Sequence, residues 1–205
     1  MPKLSSAARL AAPSAVFLTL AALLAGCAQQ TALLNQPLAW TPTKTLDLGV
    51  TQKTGGTPAA VRVDTFSDTA SDPKLVGENM EQATPRLVTT ADPVGSFVSQ
   101  HLQQLFTQAG YPSGGANADR VITGKVSKFF VSEKDNYSGS VVLDVTVSDR
   151  NGKVLWQGTV WGTNETFGRS YHLDNYQQVL SDSLVDATNN LLKNPAVRDT
   201  LTLSN

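Results

Sequence analysis

Two histidines, a single cysteine and a scatter of carboxylates are the side chains of this 205-residue chain that could do more than pack. Nucleophilic catalysis needs a nucleophile, a base and an orienting group within mutual reach. His101 falls inside a stretch of helical period beside an apolar stripe, where it reads as a partly packed side chain. His172, in Ser170-Tyr171-His172-Leu173-Asp174, stands at a loop-to-helix junction and is the better placed of the two, so a hydrolase working through it is one reading. Neither histidine has carboxylates clustered with it, which makes poor material for zinc. Asp68, Asp72, Glu78 and Glu81 could gather a cation, but a solvated acidic loop accounts for them as well. Gly55-Gly56 and Gly114-Gly115 lack the strand-to-helix setting and the lysine of a phosphate loop and read as turns. The expectation is a protein that is not an enzyme, with no catalytic residue, no metal and no cofactor.

Cys27 has a different chemistry. It closes a short basic start (Lys3, Arg9) and an apolar run through Val16, Phe17, Leu18, Leu20, Leu23 and Leu24, with Leu24-Ala25-Gly26 directly before it. The apolar run is about a dozen residues, too short to cross roughly 30 Å of hydrocarbon as a lasting helix and suited to a cleaved leader. Leu24-Ala25-Gly26-Cys27 resembles a bacterial lipoprotein signal. That resemblance implies cleavage before Cys27, a thioether-linked diacylglycerol on its thiol and a further palmitate-like chain on the new amino terminus. Each buried methylene contributes about 0.8 kcal/mol, so several chains anchor where one would not. Ala28 stands where an aspartate would favour the inner membrane, which points to the outer membrane, with the folded part facing the periplasm.

The chain has 16 basic and 17 acidic residues, and loss of Lys3 and Arg9 with residues 1–26 leaves 14 against 17. No basic excess remains to track phosphates, so nucleic acid is excluded as the main partner. One cysteine allows no intramolecular disulfide. The expected organisation is a signal peptide over 1–26, a lipidated N-terminus and flexible tether over 27–45 with Leu33, Leu34, Leu38 and Trp40 as occasional anchors, and one domain over 46–205.

Within that domain strands are expected at 46–50, 59–66 and 86–90, with a long mobile loop over 67–85. Asp92-Pro93 opens a helix whose stripe is Val94, Phe97, Val98, Leu102, Leu105, Phe106 and Ala109, and Gly110 stops it. Strands at 120–133, 138–149 and 153–165 follow. Asn151-Gly152 suits a two-residue type I′ turn, which pairs Arg150 with Lys153 and Ser148 with Leu155, and sets Val147 against Trp156, Val145 against Gly158, Leu143 against Val160 and Val141 against Gly162 on the core face. A helix over 174–192 carries Tyr176, Val179, Leu180, Leu184, Ala187 and Leu191, and Asn194-Pro195 starts a last helical piece. Together these predict an α+β fold, a two-layer α/β sandwich whose mainly antiparallel sheet has two amphipathic helices packed on one face. If Ile122 faces the core, Phe129 and Val131 join Val142 and Trp161 on the open face, a candidate surface for an envelope protein or a lipid. The alternative is that the tether folds back to cover it.

The order of parts is similar to the YajG-like family of bacterial envelope lipoproteins. The segments that carry the likeness are VRVDTFSD (61–68), DPKLVG (72–77), LFTQAGY (105–111) and YQQVLSDSLVDATNNLLKNPAVRDTL (176–201). Membership implies an envelope lipoprotein of unsettled role and carries over no catalytic residues; the open face makes a non-enzymatic interaction module the leading expectation. A more distant resemblance, to auxiliary lipoproteins of ABC-type lipid transport systems, implies a transport accessory instead.

Overall fold

The computed structural model describes residues 33–47 and 56–203. Cys27 and Leu24-Ala25-Gly26 lie outside the described residues, as does most of the strand expected at 46–50; Leu46 and Asp47 are not in a strand. The strands are β1 (Leu33–Asn35), β2 (Thr57–Pro58), β3 (Val61–Val63), β4 (Ser67–Asp68), β5 (Leu75–Asn79), β6 (Arg86–Thr89), β7 (Arg120–Glu133), β8 (Asn136–Asp149), β9 (Val154–Phe167) and β10 (Thr202–Leu203). The helices are α1 (Val94–Gln108), α2 (Leu173–Lys193) and α3 (Pro195–Thr200).

The long meander β7-β8-β9 is the frame. Its inward positions Val141, Leu143, Val145 and Val147 are fully buried, and they oppose Gly162, Val160, Gly158 and Trp156 as the hydrophobic pattern requires. The turn differs from the expected one. Among the described residues near it only Gly152 has positive φ, at 84°, and Gly152 N–H donates to the Asp149 carbonyl while Asp149 N–H donates to that of Lys153. This is a type I turn closed by a left-handed glycine rather than a two-residue type I′ turn. The extra residue makes Ser148 oppose Val154, so the expected pairs of Arg150 with Lys153 and Ser148 with Leu155 do not form.

The sheet continues from the other edge of β7 in the order β1-β6-β5-β7-β8-β9, and β3, β4 and β5 pair in parallel with successive parts of β7. The fold is thus α+β and largely antiparallel, with parallel pairs at one side. Two of these strands fall in the stretch expected to be a mobile loop. β5 escapes hydrophobic-pattern reading because Gly77 and Asn79 are buried in it: a Cβ on Gly77 would stand 2.7 Å from the Val131 carbonyl and 2.8 Å from the Tyr176 ring. Between β3 and β4 four residues advance against three on β7 (Val63 to Ser67 against Ile122 to Lys125). That surplus residue turns Phe66 into the core, where its N–H donates to Ser99 Oγ at 2.7 Å.

Both main helices lie where their apolar stripes predict and pack on one sheet face. At the end of α1, Gly110 with φ 88° lets its own N–H and that of Tyr111 reach back to the Thr107 and Phe106 carbonyls. The start differs from expectation: Pro93 takes the capping position with no side-chain acceptor, because the Asp92 carboxylate accepts instead from Leu38 N–H at 2.7 Å. Asn194 caps α3 by accepting from Ala196 N–H.

Asp92 belongs to a larger correction. Residues 33–47, expected as tether as far as 45, form a strap fastened to the domain. β1 pairs in parallel with β6, Trp40 stacks on His101, and Leu46 is in the core. The polar stripe of α2 holds the rest: Gln177 Nε2 donates to the Pro37 carbonyl, Ser181 Oγ accepts from Thr41 N–H, Asp182 accepts from Thr43 and Lys44, and Asn189 Oδ1 accepts from Asp47 N–H.

Candidate functional site

The open face expected to carry Phe129, Val131, Val142 and Trp161 is half dismantled by one residue. In β7, Val126 opposes Leu143 and Lys128 opposes Val142, so Ser127 is a bulge. Before it Ile122 and Val126 point inward; after it Phe129, Val131 and Glu133 do. Phe129 and Val131 are therefore core residues, and Phe129 meets Phe97 of α1 edge-on at 5.8 Å. Val142, half-buried, and Trp161, 63% exposed, stay on the helix-free face, joined by Lys128 and Phe130, whose ammonium and ring are 5.9 Å apart. The strap does not cover them; it lies against α1 and α2.

The same face holds an open groove of about 420 Å³ lined by Thr123, Lys125, Asp144, Thr146, Gln157 and Thr159. Hydroxyl donation from Ser127 at 2.6 Å and Thr159 at 2.5 Å holds the Asp144 carboxyl below its ordinary range, with Lys125 adding to the effect. A carboxylate already saturated by hydroxyls is an anchor for hydrogen bonds rather than a base.

The two histidines are not brought together. His101 is buried, stacked nearly parallel on Trp40 at 4.3 Å with Phe97 edge-on, and burial lowers its pKa despite a contact from Nδ1 to Gln104. His172 precedes α2 and serves through its backbone: its N–H donates to Tyr137 Oη at 2.9 Å and its carbonyl accepts from Asn175 and Tyr176. The four loop carboxylates point to separate partners: Ala70 N–H for Asp68, Lys74 N–H for Asp72, Ser132 Oγ for Glu78 and Ser170 N–H for Glu81. Among the described residues no His, Cys, Asp and Glu side chains form a group able to hold a metal ion.

A site that the sequence did not disclose lies under the start of α2. Strand pairing sets Arg86, Asn79, Glu133 and Tyr137 in one row across β6, β5, β7 and β8. Asn79, Glu133 and Tyr137 are fully buried. Tyr176 Oη donates to Glu133 Oε2 at 2.7 Å, and Tyr171 reaches Gln36 Oε1 at 3.5 Å. Burial raises the phenol pKa values of Tyr137, Tyr171 and Tyr176, and Glu133 adds to each, so all three rings stay protonated donors. Gln36 Nε2, Asn79 Nδ2, Arg86 Nε and Glu133 Oε1 are buried without a protein partner. Buried donors and acceptors of this kind are commonly satisfied by ordered water, and none of the four is a nucleophile. The signal for Glu133 was its parity with Phe129 and Val131, visible only once the bulge is placed.

The fold resembles that of protein XCC0632 from Xanthomonas campestris, of family DUF330. The two are 11% identical, with a TM-score of 0.50 over 78% of this chain and 92% of that one, a likeness of fold alone. A candidate lipoprotein from Caulobacter crescentus is 11% identical at a TM-score of 0.40, covering 52% of this chain and 82% of that one. The PelC dodecamer from Paraburkholderia phytofirmans is 17% identical at 0.41, covering 73% and 96%. No family model and no curated protein sequence matches the chain. Among the described residues no helix is long and apolar enough to cross a membrane.

Proposed function

We propose that this chain is a lipid-anchored bacterial envelope lipoprotein of the YajG-like kind, held in the outer membrane through Cys27 and facing the periplasm. Its folded part is a non-enzymatic interaction module that meets an envelope protein or lipid. The observation that carries this reading is the Leu24-Ala25-Gly26-Cys27 motif at the end of a basic and apolar leader, six residues before the first strand. Further along the chain, residues 33–47 are fastened to the domain by β1 and by hydrogen bonds from α2. Dispersed histidines and saturated carboxylates favour binding over turnover. The test is mass spectrometry of the membrane-extracted protein, with membranes separated by density. An acyl-modified N-terminal peptide beginning at Cys27, in the outer-membrane fraction, is expected, and Cys27→Ser should release the protein to the soluble fraction. An unmodified thiol, or membrane retention of the serine variant, would refute the reading.

A further inference from the structure

Chain direction decides which end of the domain an anchor at Cys27 would hold closest to a bilayer. β1 starts at Leu33, six residues after Cys27, and that length of chain reaches no more than about 20 Å. β1 runs parallel to β6, so its start lies at the Arg86 end of the sheet. The same end carries the β5–β6 turn, the β7–β8 turn at Lys134-Asp135 and the exit of β9 at Phe167. Strand register makes this concrete: Leu33 is level with Leu87, Glu78, Ser132, Ser138 and Glu165 in turn. Phe167 is two residues further along β9, opposite Asn136.

Two of the most exposed large apolar side chains sit on this end. Phe167 is 82% exposed and Leu33 65% exposed, both on the helix-free face and separated by five strand spacings, about 24 Å. The turns at this end carry Lys134 and Arg169 against Asp135 and Glu81, with Arg169 and Asp135 paired at 2.8 Å, and Glu78 and Glu165 stand level with Leu33, so the contact is one of apolar side chains with the interface and not of charge attraction to headgroups. An aromatic ring in water at the end of a strand, beside balanced polar turns, suits the boundary between headgroups and acyl chains.

We infer that this end of the sheet docks on the bilayer surface, with Phe167 entering the interface as a second contact beside the acyl anchor. The occupant of the patch is thus the membrane's own lipid, and the domain stands end-on. The inference rests on the lipidation of Cys27. Docking leaves the helix-free face, with Trp161 six residues or about 20 Å up β9, free for a periplasmic partner.

Because the native cysteine would be acylated, Phe167→Cys, Trp161→Cys and Asn151→Cys each add one free thiol to the full chain, all at exposed positions. Each acylated variant, labelled with an environment-sensitive fluorophore, is placed in phosphatidylethanolamine–phosphatidylglycerol vesicles with and without brominated chains. At position 167 a blue shift and an about two-fold loss of emission in brominated vesicles are expected. Positions 161 and 151, the latter at the opposite end of β8, should be unaffected. Equal quenching at 161 and 167 would mean a face-on domain and overturn the end-on arrangement. No quenching at 167 in protein whose mass shows the acyl group on Cys27 would overturn the contact itself. Absence of that mass would sink the lipidation reading and this one with it.

Discussion

Asp182 is the fastener that joins the N-terminal strap to the domain, and its removal has a calculable effect. The carboxylate is buried and accepts from Thr43 N–H at 2.7 Å, Thr43 Oγ1 at 2.8 Å, Lys44 N–H at 2.8 Å and Asn164 Nδ2 at 3.2 Å. A hydrogen bond to a charged group contributes about 1.5–3 kcal/mol net, so four would give at least about 6 kcal/mol if all donors were then stranded. Thr43 and Lys44 are exposed, however, and regain water once the strap lifts. We therefore expect Asp182→Ala to cost about 3 kcal/mol, and Asp182→Asn about 2 because one acceptor oxygen remains while the amide opposes the Lys44 or Thr43 donor. With a urea slope of about 2 kcal/mol per molar, the alanine variant should unfold about 1.5 M earlier. Amide exchange separates a fastening role from general destabilisation: Thr43 and Lys44 should lose protection in Asp182→Ala at zero denaturant while β8 amides keep theirs. Native-level protection at Thr43 and Lys44, with an unmoved midpoint, would refute the argument.

Tyr176→Phe leaves the buried Glu133 carboxylate without its phenol donor and should cost about 2–3 kcal/mol in urea unfolding; a neutral result would mean that solvent reaches Glu133. His101 is held neutral by burial, its folded pKa lying below the unfolded value, so the unfolded chain binds the proton more readily: stability should decline as pH falls through about 6.5, and His101→Phe should remove that decline in denaturant midpoints. The carboxyl of Asp119, lowered mainly by the Ala60 N–H, and that of Asp144 act in a more acidic window. Their contribution is full above about 4 and is lost as pH falls through their lowered folded values, a loss that Asp144→Asn should reduce.

What could be read from the residues follows from what periodicity encodes. The stripes over 94–109 and 176–191 are consequences of burying one side of a cylinder, and both helices lie where they predict. Alternation in 141–147 against 156–162 fixed register because a one-residue slip would expose every valine. The same logic explains the failures. A single surplus residue inverts the parity of everything beyond it at no cost to composition, so Ser127 moved Phe129, Val131 and Glu133 from one face to the other, and the surplus before Ser67 buried Phe66. Neither has a glycine or proline to mark it.

The strap and β5 were missed for a different reason: they are held by directed bonds and close approach, which leave no hydrophobic period. Gln36 and Asn79 are buried amides, and Thr41, Thr43 and Lys44 are tied by main-chain donors whose partners sit some 140 residues away on α2. Those partners, Gln177, Ser181, Asp182 and Asn189, form the polar side of a helix whose apolar side alone had drawn notice. An amphipathic helix offers two faces for fastening, and here the polar one fixes the N-terminal segment. If Cys27 carries lipid, the anchor's pull meets the fold first at β1 and only then along that polar face, so loss of Asp182 should loosen Thr43 and Lys44 while β1 stays paired with β6.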